Sequence, residues 1–119
     1  MKYMLLVHHD EVTFAERSAV EREGLIRESV ALCHELNKDG QYFGAAPLHP
    51  TSETMCVQVR DGKRFVTDGP FAETREQIGG YFLVDARDLN EAVEIAGRIP
   101  GARIGTVEVR RVTEVEGLP

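Results

Sequence analysis

The chain has 119 residues, and fourteen Lys and Arg against twenty Asp and Glu leave a formal net charge of −6. That length fits a single domain spanning residues 1–119, because domains cluster at about 100–150 residues, and a hydrophobic content of 42% is enough to build a core. The acidic balance and the absence of Trp argue against direct nucleic-acid binding and against an anionic membrane surface, since both need clustered Lys and Arg.

Met1 to Val7 reads as a first strand, with Tyr3, Met4, Leu5, Leu6 and Val7 in an unbroken apolar run. The run is far shorter than the ~20 residues that span a bilayer, and no small-residue cleavage site follows it, so a soluble, cytoplasmic protein is expected. His8, His9, Asp10 and Glu11 stand at the strand's end. If the strand continues, the two histidines point to opposite faces and at most one enters a cleft.

A helix follows, strongest from about Glu16 to Lys38, with Ile26, Ser29, Val30, Cys33 and Leu36 as its buried stripe and Gly24 as a candidate break. His34 lies off that stripe and reads as a surface histidine, and Asp39-Gly40 ends the helix. Gln41 to Ala45 is a short strand, and Pro47 and Pro50 bracket a loop carrying His49. Thr54 to Arg60 alternates, with Met55, Val57 and Val59 on one face; Asp61-Gly62 is a hairpin turn, and Lys63 to Thr67 is the return strand.

Asp68-Gly69-Pro70-Phe71 interrupts the strand, because Pro70 has no amide donor. Ala72 to Gln77 reads as a loop or a single turn, and Gly79-Gly80 leads into a strand from Tyr81 to Val84. Asp88 is the cap of a second helix, with Glu91 placed to bond back and Leu89, Ala92, Val93, Ala96 and Ile99 as the buried face. Pro100-Gly101 stops it, and Thr106 to Val112 is the last strand.

This order predicts an α+β, ferredoxin-like fold: two helices on one face of a mainly antiparallel sheet, with an extra hairpin. No third helix covers the other face, so a homodimer packed sheet to sheet is expected. Cys33 and Cys56 form no CxxC pair and read as two small buried hydrophobes.

The segment Val66-Thr67-Asp68-Gly69-Pro70-Phe71-Ala72-Glu73-Thr74-Arg75-Glu76-Gln77-Ile78-Gly79-Gly80-Tyr81 resembles the signature of the YCII-related family, specifically its DGPF-domain branch. Met1 to Leu6, Ala96 to Pro100 and Val107 to Arg110 are similar to that branch too, so the resemblance spans nearly the whole chain. It implies a dimeric α+β barrel. It also implies a small enzyme or ligand-binding protein with a His–Asp pair in a cleft. At least one relative acts on a chlorinated aromatic, and the barrel superfamily includes muconolactone isomerases. Members of the branch are often encoded beside extracytoplasmic-function sigma factors, which implies a regulatory association. Asp68 matches the aspartate of the signature. The family's histidine on the first helix falls at Ser29, so His9 or His49 is left to take its place.

Asp68 with either histidine would form a general acid–base pair, the carboxylate fixing the imidazole tautomer and raising its basicity. The competing reading of Asp68 is a turn residue bonding the amides of the Pro70–Phe71 turn. Phe71, Glu73, Gly79 and Gly80 are candidates to contact substrate: Phe71 as cleft wall or core, the glycines by close backbone approach or merely as a turn. Arg75 is placed either to draw an anionic substrate or to pair with a glutamate. No spacing demands a metal, and no phosphate loop is present, so neither metal nor organic cofactor is expected. Two functions remain open. One is a lyase or isomerase doing acid–base chemistry on a small organic molecule. The other is a non-catalytic module binding a metabolite or a regulatory partner such as a sigma factor, through protein or metabolite rather than DNA.

Overall fold

The computed structural model describes all 119 residues. The apolar start of the chain, β1 (Lys2–His9), becomes the centre of a four-stranded sheet. It is followed by α1 (Glu11–Glu16), α2 (Ala19–Lys38), β2 (Tyr42–Pro47) and a single 3-10 turn at Thr51–Glu53. Next come β3 (Met55–Arg60), β4 (Lys63–Asp68), β5 (Gln77–Asp85), α3 (Leu89–Arg98), α4 (Gly101–Ile104) and β6 (Thr106–Arg111). The sheet order is β2-β5-β1-β6, and every pairing is antiparallel. With the β3–β4 hairpin set aside, that is the expected ferredoxin-like order, and α2 and α3 lie on one face.

Alternation along β1 places Tyr3, Leu5 and Val7 on the helix side, where they meet Leu32 and Leu36 of α2, Ala92, Ile95 and Ala96 of α3, and Phe82 and Val84 of β5. Met4 opposite Leu83 and Leu6 opposite Tyr81 face the other way and are only half-buried. No helix is long and apolar enough to cross a membrane.

Several elements differ from expectation. The first helix is two. Asp10 caps α1 by accepting from the amides of Val12 and Thr13 at 3.0 and 3.1 Å, and Ser18 caps α2 by accepting from Glu21 N at 3.1 Å. Gly24 does not break α2. The buried stripe of α2 is Leu32 and Leu36, whereas Ile26 and Val30 are 47% and 49% exposed. The stripe is rotated because Leu25, Ser29, Leu32 and Leu36 share a helical spacing of four, three and four, and it is this row that turns inward. On α3, Ile95 replaces Leu89 and Val93 in the core. Asp88 does cap it, accepting from Glu91 N at 2.9 Å, but the Glu91 carboxylate accepts from Arg87 N and Gln41 Nε2 instead of the Asp88 amide. β5 begins at Gln77, so Gly79-Gly80 lies inside a strand and not in a turn. Both cysteines are half-buried free thiols, with Cys33 against the core and Cys56 Sγ 3.2 Å from the Gly69 carbonyl.

The β3–β4 hairpin forms as expected, with Asp61 and Gly62 at φ 51° and 73° in its turn. It pairs with no other strand, and all its strand residues except Cys56 are exposed. The consequence is measurable in the whole chain. The radius of gyration is 16.2 Å, against about 13.5 Å for a compact chain of this length. The accessible surface is 8598 Å², against about 6,500 Å² for a folded monomer of this mass.

Leu5 has no exposed surface and touches both helices' side of the core. Leu5→Ala is expected to lower stability by about 2–5 kcal/mol, read from the shift of a denaturant melt.

Candidate functional site

The site begins with an irregularity in the central sheet. Val7 pairs with Gly80 and His8 with Ile78, which leaves Gly79 as an extra residue in β5. Beyond this bulge the two histidines part. His8 stays on the open face, its Nε2 3.2 Å from Glu108 Oε1. His9 turns against α1, where its ring stacks on Phe14 with centroids 4.5 Å apart and planes 11° from parallel. The other side of the ring region lies on Gly79: a Cβ there would sit 2.2 Å from His9 Cε1. Gly105 grips the same stretch from β6's side, since a Cβ there would sit 2.0 Å from the His8 carbonyl oxygen.

His9 opens on a cleft of about 430 Å³ that α1, the loop before β5 and α4 enclose. Asp10, Arg17, Arg75 and Glu76 give it polar walls, with Phe14 and Ile104 as the apolar part. Burial holds the His9 imidazole below its ordinary pKa, and the charges of Glu11, Glu76 and Asp10 offset this only in part. These carboxylates are fixed. Asp10 caps α1, Glu76 accepts from Thr106 Oγ1 at 2.9 Å, and Glu11 accepts from Thr51 N and Oγ1 at 2.8 and 2.7 Å. A neutral imidazole with fixed carboxylates around it can take a proton and stabilise the cation that results.

The model of the YCII-related domain matches residues 1–116. The chain belongs to the YCII-related family. It is 34% identical over 112 residues to an uncharacterised protein of Rhizobium meliloti (strain 1021), a match that covers 92% of this chain and 90% of that one.

Within this YCII-related domain the residues singled out from sequence are scattered. Asp68 is the last residue of β4, opposite Met55 and exposed, and no hydrogen bond or ion pair joins it to a histidine. The turn after it is held by backbone, with Gly69 at φ 89° donating to the Thr54 carbonyl at 2.8 Å. His49 is exposed, and its Nδ1 is 3.0 Å from Glu53 Oε2. Phe71 is 86% exposed, so it is neither core nor cleft wall in the single chain, and Glu73 is exposed beside it. The close approach read into the glycine pair is real, but the visitors are the protein's own His9 ring at Gly79 and the Ala46 carbonyl oxygen, 2.9 Å from a Cβ on Gly80. Only His9 of the three proposed catalytic residues lines this cleft. Sequence reasoning missed Arg17, Thr13 and Phe14. The two cap residues Asp10 and Ser18, eight apart, were the signal that the chain breaks there and sets the half-buried Arg17 between two helices. No three His, Cys, Asp or Glu converge as a metal-binding group.

The His9 titration is directly testable. Its NMR midpoint is expected below the ~6.5 of a free histidine side chain. Because the unfolded chain then binds the proton first, His9 contributes stability above pH ~6.5 that is lost as pH falls toward the folded midpoint. Gly79→Ala is expected to displace the ring and move the midpoint up. A midpoint at or above the free value in the native chain would contradict the desolvation described here.

Proposed function

We propose that this YCII-related protein, as a member of the DGPF branch, is a small cytoplasmic enzyme performing cofactor-free acid–base chemistry of lyase or isomerase type. The substrate is a small organic molecule bound beside His9. The observation that carries this reading is the desolvated imidazole held between Gly79 and Phe14 at the mouth of a cleft. A neutral ring nitrogen accepts a proton from a substrate C–H, and Glu76 and Asp10 balance the imidazolium. Return of that proton to another carbon gives an isomer; departure of a group from the neighbouring carbon gives elimination, the electron pair of the broken C–H bond forming the new double bond.

In this reading the working unit is a homodimer. About 2,000 Å² of surface beyond that of a compact monomer is what one partner contributes to a large obligate interface. The half-buried row of Met4, Leu6, Tyr81 and Leu83 and the apolar residues of the hairpin supply it.

Two measurements follow. Acetone, γ-butyrolactone and 2-oxobutyrate, each incubated with the protein in D₂O, are expected to include one whose C–H proton NMR signal decays faster than in buffer. His9→Gln is expected to slow that exchange by about 10²–10⁴-fold with little change in melting temperature. Exchange at the buffer rate throughout would favour the non-catalytic alternative, a metabolite-binding or sigma-factor-associated module. Light scattering of the pure chain is expected to give twice 13.3 kDa. A monomer would leave the open sheet face to a different protein.

A further inference from the structure

Two of the cleft's walls are arginines, and neither has its charge answered by a close carboxylate. Arg17 lies between α1 and α2 with its side chain 30% exposed. Its Nε is sealed from water and has no acceptor, and its one ion pair, to Glu21, is 3.7 Å long. A charge-assisted hydrogen bond is about 2.7–2.9 Å, so Glu21 does not satisfy it. Arg75, on the loop before β5, enters no ion pair, and the pairing with a glutamate open to it in sequence does not form. Arg103, by contrast, holds Glu28 through two bonds of 2.8 and 2.7 Å. The cleft is thus lined by two guanidinium groups with no close carboxylate partner, and planar guanidinium forks match a planar anion.

The charge of that anion is set by what surrounds it. Asp10 already occupies the amides at the start of α1, and Ser18 occupies an amide at the start of α2. The helix start that lines the cleft, that of α1, therefore has its amides taken, and Asp10 and Glu76 repel a dianion more than a singly charged group. A single carboxylate fits: two planar forks against one planar acceptor, with His9 and the Phe14 wall left for the remainder of the molecule.

We infer that the cleft takes a small carboxylic acid, its carboxylate held by Arg17 and Arg75 so that a C–H beside a carbonyl further along the molecule, as in 2-oxobutyrate, faces His9, the electron pair of that C–H passing to the carbonyl oxygen. This rests on the acid–base reading above and gives it a substrate class.

Binding tests it apart from turnover. Acetate, 2-oxobutyrate and benzoate are titrated by NMR against acetamide, benzamide and inorganic phosphate. At least one carboxylate is expected to shift Arg17 or His9 resonances more tightly than its amide or phosphate. Arg17→Gln and the exposed Arg75→Gln are each expected to weaken it about 10–100-fold. His9→Gln is expected to keep the binding while losing the exchange. Amides that bind as well as acids, or arginine variants that bind unchanged, would overturn the carboxylate assignment. Carboxylate binding without any exchange would instead uphold this site and overturn the catalytic reading.

Discussion

β1 exchanges hydrogen bonds with β5 on one side and β6 on the other, and the extra residue in β5 decides where its last two side chains go. The bulge makes room for an imidazole where a regular strand would carry a Cβ, and only glycine leaves that room. Asp10 follows His9 at once and caps α1, so no slack separates the strand's end from the helix that stacks Phe14 on the ring. The position of His9 is thus set by backbone on three sides: the bulge, the helix cap and the Gly105 contact. A side chain held this way keeps a fixed distance to its neighbours, which is what proton transfer to a bound molecule requires.

The same irregularity links two surfaces. His8 meets Glu108 on the open sheet face while His9, one residue on, looks into the cleft. Closure of the open face against a second copy would desolvate His8–Glu108 and stiffen the end of β1. The cleft would then inherit its rigidity partly from assembly. A chain that buries only 14 of its 119 residues has little other rigidity to draw on. Its own core, Leu5, Leu36 and Val84 among twelve residues, fixes one side of the sheet and leaves the hairpin outside it.

What was legible in sequence was what short-range chemistry decides. The Asp61-Gly62 turn and the Asp88 cap follow from residue types within four positions of each other, and both formed. The element order gave the ferredoxin-like plan. The rotated stripe of α2 was not legible, because Ile26 and Val30 form a second apolar row beside Leu32 and Leu36. Periodicity does not say which of two adjacent rows turns inward. Gly79-Gly80 reads as a turn or as a close backbone approach, and sequence does not say what approaches, for a related reason. The cause of the glycine is a ring 70 positions earlier, which no local window contains. His9 was visible as a candidate, but Asp68 was tied to it only by the family signature, and nothing in the folded single chain joins the two. Arg17 was invisible because its significance depends on a break between two helices that read as one.

Net charge is a poor guide to the ligand of such a site. At −6 the chain as a whole repels anions. That field decays over about 8 Å at physiological ionic strength. Arg17 and Arg75 line the cleft together with Asp10 and Glu76, and the carboxylates are already engaged, one with helix amides and one with Thr106. The guanidinium groups have no such partners. Local hydrogen-bond accounting therefore outweighs the global sign, and an acidic protein can present an anion site. The overall charge then acts on rate of encounter and not on what is held. Added salt should speed the approach of an organic acid by screening the chain's long-range repulsion, while weakening its grip at the arginines.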